Sequence, residues 1–189
     1  KEGVAKVTGR SLYVDDISYP AMLFGATIRS PVARGVLREV VFKNGVDWNE
    51  FTIVRAADIP AENVIAFHMD DQPCLVEREI RHREEPVLLI AHADRDQLQK
   101  AKSLIELVID ELPACLSLED AYERKHRVWG EDNIMKKIVI ERGKPEAVRG
   151  LIVCEGEYRT SAQEQMYIEP NGMIAQLEGE VVRVEGSLQ

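Results

Sequence analysis

The chain has little of what a metal or redox centre needs. Its three cysteines, Cys74, Cys115 and Cys154, are widely spaced. An odd count with no Cys-x-x-Cys gives neither a disulfide framework nor a zinc or iron–sulfur pattern. They read as buried, reduced thiols of a cytoplasmic protein. The four histidines, His68, His82, His92 and His126, lack metal-type spacing and read as surface or core residues. No apolar run reaches membrane-spanning length. The opening Lys1-Glu2-Gly3-Val4-Ala5-Lys6 lacks the apolar core of a signal peptide. No basic block stands out, which argues against nucleic-acid binding. The twelve glycines are scattered and build no phosphate-cradling loop, and no serine sits in a Gly-x-Ser-x-Gly elbow. There is no internal repeat and no low-complexity segment. The chain does not begin with Met, which suits a fragment or a processed chain.

What is present is ordinary globular material. Hydrophobic residues make up 45% of 189 residues, enough for a sizeable core. That length suits one large or two small domains. The 33 acidic and 24 basic residues leave a net charge of −9, which favours solubility and says little about fold.

Short strand signals dominate the first third. Residues 23–29 and 36–42 are apolar runs, bounded by Pro20, Ser30-Pro31, Gly35 and Asn44-Gly45. A further strand covers 52–55, and Ile59-Pro60 opens a loop. In the middle, 87–91 is a continuous apolar run, as in a strand buried on both faces. Asp94, with Gln97 three residues on, predicts a capping box. Leu98, Ala101 and Ile105 then share a helical stripe, with Ile105 open to either the helix or the next element, and 107–109 returns to strand character before Leu112-Pro113. Strand, helix and strand predict a right-handed crossover unit. Ser117, with Asp120, starts a short helix through Tyr122. The polar stretch 124–132 is the expected domain boundary. The last third is β-rich: 151–160 alternates, Asn171-Gly172 is a turn, and 173–177 and 180–185 flank a hairpin loop at Glu178-Gly179. A hairpin ending there leaves an unpaired edge, which suits truncation.

No catalytic constellation is complete. Asp15-Asp16 and Asp70-Asp71 read as solvated loop residues, because neighbouring strand residues point to opposite faces and a cation needs several oxygen ligands. Ser161 with Glu164 has the spacing of another capping box. Lys43, beside the Asn44-Gly45 turn, lacks the surroundings of a carrier-domain lysine.

Three groups of residues, in order, resemble the molybdenum hydroxylases, the family of xanthine dehydrogenases, aldehyde oxidases and carbon monoxide dehydrogenases. The first is Ala5-Lys6-Val7-Thr8-Gly9-Arg10, Tyr13-Val14-Asp15-Asp16-Ile17, Met22-Leu23-Phe24-Gly25 and Ile28-Arg29-Ser30-Pro31. The second is Ala57-Asp58-Ile59-Pro60, Pro86-Val87 and the strand–helix–strand unit ending Glu111-Leu112-Pro113. The third is Gly156-Glu157-Tyr158-Arg159-Thr160, Gln163-Glu164, Tyr167-Ile168-Glu169-Pro170 and Ser187-Leu188-Gln189. The chain departs from the family at Glu84-Glu85, where Gly-Gln is usual before Pro-Val, and at Gln165, where histidine usually follows Gln-Glu.

The resemblance implies an α+β fold. An α/β-hammerhead domain would cover 1–123, and 124–189 would be a partial, β-rich start of the molybdopterin-binding region. In the complete enzyme it implies a molybdenum–molybdopterin centre that hydroxylates a carbon next to nitrogen or oxygen, with water as oxygen source. A glutamate base would lie beyond Gln189, and FAD and iron–sulfur clusters would sit on partner domains or subunits. Substrates would be purines, aldehydes or N-heterocycles. Partners would include the remainder of the molybdenum subunit. No catalytic residue and no metal ligand carries over. Gln189 alone aligns with a cofactor-binding position, the glutamine that hydrogen-bonds an oxygen ligand on molybdenum. An amide suits that task because it donates and accepts. The chain by itself is expected to be inert and to bind no cofactor. The alternative is a non-enzymatic interaction or assembly module with a hammerhead fold, since fold does not fix function. Reading the gene past Gln189 separates the two.

Overall fold

The computed structural model describes residues 3–65, 72–144, 152, 154–166 and 170–187. They form two compact units. One contains residues 21–139, the other residues 1–20 and 140–189. In chain order the regular elements are α1 (Gly3–Val7), β1 (Phe24–Arg29), β2 (Gly35–Phe42), β3 (Thr52–Val54), β4 (Glu79–Ile80), β5 (Pro86–His92), α2 (Arg95–Ser103), β6 (Ile105–Glu111), α3 (Leu118–Tyr122), β7 (Gly172–Glu178) and β8 (Val181–Ser187). Small helices with antiparallel sheets make this an α+β protein, as expected from the sequence.

The larger unit holds two three-stranded sheets, ordered β1-β5-β3 and β4-β2-β6, with every pairing antiparallel. The strand–helix–strand unit is there, but it is not a crossover. β5 lies in one sheet and β6 in the other. The apolar run of β5 has a different cause from the one expected. It is the middle strand of an antiparallel sheet, flanked by β1 and β3 on its two edges, with Val87, Leu88 and Ile90 buried and Leu89 facing outward. The run records a central position, and a central strand reads the same in either sheet type.

Helix α2 forms where the cap and the stripe place it. Asp94 accepts hydrogen bonds from the amides of Asp96 at 2.7 Å and Gln97 at 3.0 Å, which satisfies two of the helix's orphan donors. Leu98 and Ala101 are buried, and of the two readings of Ile105 the structure has the second, since it opens β6. The core joins these two to Ile28, Val76, Ile80, Val87, Leu88 and Ile90. Each large aliphatic side chain buried there contributes roughly 1.5–3 kcal/mol. Gly35 is the first residue of β2 and is buried. A Cβ there would lie 2.6 Å from Ile109 Cγ2 and 2.9 Å from the Asp110 carbonyl oxygen, so the two strands close on each other only over glycine.

In the smaller unit, β7 and β8 form a regular hairpin from Gly172↔Ser187 to Glu178↔Val181. The loop is Gly179-Glu180, one residue later than the sequence suggests. Gly179 takes φ +64° at the first loop position, which a type II′ turn requires and a glutamate there would resist. Tyr19 donates its hydroxyl hydrogen bond to Glu185 on β8 at 2.7 Å. That contact with a carboxylate holds the phenol above its ordinary pKa.

Two expectations fail in this unit. The alternating stretch 151–160 carries no strand at its described residues, and no helix follows Ser161 within 161–166. Ile152 and Tyr158 are 93% and 91% exposed. Alternation creates a face, but with no cover for it among the described residues the ordering entropy is not offset. A cap likewise starts a helix only where packing sustains it.

Candidate functional site

Gln189, the cofactor-binding residue expected from the sequence, lies outside the described residues, as do Leu188, His68, Asp70 and Asp71. Asp15 and Asp16 sit in a one-turn 3₁₀ segment, where the Asp16 carboxylate accepts from the Tyr13 amide at 2.9 Å. Among the described residues, no three His, Cys, Asp or Glu side chains gather where a metal ion could be held. The cysteines are not the buried thiols expected from the sequence: Cys74 and Cys115 are half-buried and Cys154 is exposed. No helix among the described residues is long and apolar enough to cross a membrane.

The two positions at which the chain departs from the family before Pro86 differ in their surroundings. Glu84 adopts φ +65°, the left-handed region where glycine is at home and a side chain is strained. Glu85 is 2% exposed. Its Oε2 accepts from the Arg81 amide at 2.6 Å, and its carbonyl accepts from the Ser30 amide at 2.9 Å. Glu84 in turn donates its amide to the Ser30 carbonyl at 2.9 Å. Ser30, fully buried, donates its hydroxyl to the Val32 carbonyl at 2.9 Å. The end of β1 is thereby pinned to the segment leading into β5. Gln165 lies in the irregular, exposed stretch 154–166.

An open groove of about 740 Å³ runs between β1 and β6. Its charged lining is largely self-paired. Lys43 meets Glu106 at 2.6 Å, and Arg29 donates to the Glu84 carbonyl at 2.8 Å.

His92 closes β5 and is nearly buried. Its ring stacks on Phe51 with centroids 4.5 Å apart, at the end of a series of ring contacts through Trp48 to Phe42. Nδ1 accepts from the Asp94 amide at 2.9 Å, which puts the ring proton of the neutral form on Nε2, 3.8 Å from Glu50. Both nitrogens are thus directed at protein groups. The arrangement packs the ring and directs its nitrogens within the protein.

Sequence reasoning missed one polar hub. The Asn133 carboxamide oxygen accepts from the amides of Val128 at 2.9 Å and Trp129 at 3.2 Å, and its nitrogen donates to the carbonyls of Ala121 at 3.1 Å and His126 at 2.9 Å. Those four bonds use the full capacity of the amide. Arg34 adds a second tie, from β1–β2 to the carbonyls of Pro113 and Arg127, both at 3.2 Å. Ser117 caps α3 through the Asp120 amide at 3.0 Å, as its position predicts. Lys125 bonds the Asp120 carboxylate at 2.6 Å and lowers its pKa. The polar stretch after α3 is therefore tied into turns. Nothing in a sequence of charged residues marks Asn133, because its partners lie 4 to 12 residues away.

Among solved structures, quinoline 2-oxidoreductase from Pseudomonas putida 86 is similar to this chain, with a TM-score of 0.55 and 26% identity. The match covers 68% of this chain and 17% of that one. The nicotinate dehydrogenase large molybdopterin subunit of Eubacterium barkeri is 28% identical over 184 residues, covering 95% of this chain and 43% of the relative. Xanthine dehydrogenase of Dictyostelium discoideum is 28% identical over 193 residues, covering 97% and 13%. The chain thus spans less than half the length of either relative. The a/b hammerhead domain of aldehyde oxidase and xanthine dehydrogenase matches residues 8–113, more than half of the chain. That span contains both sheets of the larger unit, helix α2 and the Glu84–Glu85 turn, and by it the chain belongs to the aldehyde oxidase and xanthine dehydrogenase family.

Proposed function

We propose that this chain supplies the hammerhead domain, 1–123, and the start of the molybdopterin-binding region, 124–189, to a molybdenum-dependent hydroxylase. The observation that carries this reading is the hammerhead match over residues 8–113. Relatives named as molybdopterin or molybdenum-binding subunits support it along nearly the whole chain. The substrate is a small molecule, and a nicotinate dehydrogenase among the relatives favours an N-heterocycle over an aldehyde. Partners are the remainder of the molybdenum subunit and the domains or subunits that carry FAD and iron–sulfur clusters. A cytoplasmic location goes with its free thiols.

The described residues do not fit a metal centre of their own, because their cysteines and histidines do not gather into a ligand set. Iron–sulfur clusters need several thiolates together. No catalytic step is assigned to this stretch. Its contribution is a rigid hammerhead and, at Gln189, an amide that both donates and accepts next to the molybdenum centre's oxygen ligand. Such outer contacts typically change activity or metal affinity ~10–100-fold.

The test uses the complete enzyme with its partner subunits, with turnover normalised to molybdenum content. Gln189→Ala is expected to lose activity at equal metal loading, and wild-type turnover would remove the role given to Gln189. The 189-residue chain alone is expected to show no turnover. Molybdenum-dependent turnover by that chain would overturn the reading.

A further inference from the structure

The sequence contains two Asn-Gly pairs, Asn44-Gly45 and Asn171-Gly172. Their surroundings differ. Asn44 is exposed in the bend between β2 and the 3₁₀ turn Trp48–Glu50. Among the described residues, neither its side chain nor the Gly45 amide has a hydrogen-bond partner. Gly45 takes φ +143°, and a Cβ there would lie 2.8 Å from Leu104 Cδ1. The position therefore demands glycine, and glycine leaves its own amide nitrogen unhindered. Gly172, by contrast, opens β7 opposite Ser187. Glu178 and Val181 flank a two-residue loop and so form a hydrogen-bonded pair. Such pairs recur at every second residue, at Gln176, Ile174 and Gly172, so the Gly172 amide donates into the ladder.

We infer that Asn44-Gly45 is a site of spontaneous backbone modification, with water as co-reactant, and that the β7–β8 ladder protects Asn171-Gly172 from the same reaction. The Gly45 amide nitrogen attacks Asn44 Cγ. The N–Cγ bond forms, the Cγ–Nδ2 bond breaks, and the side-chain nitrogen leaves as ammonia with the amide proton. Water then adds to either carbonyl of the five-membered imide and opens it, leaving aspartate or isoaspartate at position 44. The net change is water in and ammonia out, with no oxidation or reduction. At Gly172 the same attack first requires a local opening of the strand pair.

The product alters packing next to the aromatic cluster. Lys43 already pairs with Glu106 at 2.6 Å, and a new carboxylate at position 44 competes for it. Isoaspartate also adds a main-chain carbon to the turn in which Trp48 Nε1 donates to the Lys43 carbonyl at 2.9 Å.

The experiment ages the full chain at mildly alkaline pH, folded and in denaturant. Peptide mapping by mass spectrometry then follows the gain of one mass unit at each asparagine. In the folded chain Asn44 is expected to convert severalfold faster than Asn171, and in denaturant the two rates converge. Equal rates in the folded chain overturn the inference, as does an Asn44 advantage that persists in denaturant. So does an Asn44 that stays intact when folded while the denatured chain converts. Asn44→Ser should abolish the slow loss of Trp48 packing, read by fluorescence. If the aged variant loses it as fast as wild type, the proposed consequence falls.

Discussion

The backbone amide of Asp94 donates to Nδ1 of His92 at 2.9 Å, while the Asp94 carboxylate accepts from the first turn of α2. In a capping box that amide would be taken by the side chain three residues on, here Gln97. The imidazole takes its place, and the last residue of β5 thereby fixes where α2 begins. Replacing His92 with alanine should therefore do more than remove a ring from the Phe51 stack. It leaves the Asp94 amide without its acceptor, and exchange of that amide with deuterium should quicken ahead of the rest of α2.

The cap also sets a pH dependence. Hydrogen bonds from the Gln97 and Asp96 amides hold the Asp94 carboxyl below the ordinary aspartate range. A depressed native pKa contributes stability that is present above the unfolded value and is lost as pH falls through the folded one. Asp120, lowered chiefly by its hydrogen bond from Lys125, adds in the same sense. Urea midpoints should thus fall as pH drops below the ordinary aspartate range. Asp94→Asn, which still caps, should flatten part of that fall, whereas Asp94→Ala should lower the midpoint at neutral pH as well. A neutral-pH midpoint unchanged in Asp94→Ala would show that the cap is not needed.

Glu84→Gly is expected to stabilise the protein by about 1 kcal/mol, because the φ of +65° costs a side chain roughly that much. Glu85→Ala should do the opposite, by about 1–3 kcal/mol, because the Arg81 amide loses its carboxylate acceptor beside a buried site. Glu85→Gln keeps an acceptor oxygen and should lie near wild type. Equilibrium denaturation of the three variants checks the order, and a destabilised Glu84→Gly would contradict the backbone argument.

Core variants separate packing from charge. Leu98 is 3% exposed, so Leu98→Ala should cost about 2–5 kcal/mol. Leu98→Asp should cost more, because it leaves a charge buried without a partner. Gly35→Ala forces a methyl group against Ile109 and the Asp110 carbonyl and should cost about 1–3 kcal/mol. Denaturant midpoints order the three. Wild-type stability for Gly35→Ala would mean that β2 and β6 can separate at that point.

What could be read from the sequence was local. The extents of β1, β2 and α2, and the caps at Asp94 and Ser117, depend on residues within a few positions of each other, and the structure has them within a residue or so. Pairing was not readable. β5 and β6 are separated by one short helix, yet each joins partners from earlier in the chain, and no apolar pattern states which. The alternation in 151–160 describes a face whose cover is not among the described residues. Glu85 was visible only as a departure from the family. Its role depends on Arg81 and Ser30, which no spacing rule links to it. Gln189 owes its assignment to resemblance alone, since an amide at a strand end has no signature of its own.

Asn133 gives the sharpest test of the segment after α3. Its carboxamide oxygen faces two amides and its nitrogen faces two carbonyls, so the two ends are not interchangeable. Asn133→Asp keeps the size and both accepted bonds. It replaces the donating nitrogen with an oxygen that confronts the Ala121 and His126 carbonyls. Two bonds are lost and two repulsive contacts appear. With net bonds worth about 0.5–1.5 kcal/mol each, the local cost is about 2 kcal/mol. Asn133→Gly suits the φ of +63° but loses all four bonds, so relief of backbone strain cannot compensate. The effect should be confined to the turns. Trypsin should cut faster after Arg124, Lys125 and Arg127 in both variants, and hydrogen exchange at Val128 should rise, while the denaturation midpoint of the hammerhead core barely moves. The core residues Ile28 to Ala101 make none of these bonds, which is why local and global readouts should separate. If Asn133→Asp resists trypsin like wild type, the side chain does not organise the segment. If the core midpoint falls in step with the cleavage rate, the segment and the hammerhead unfold as one.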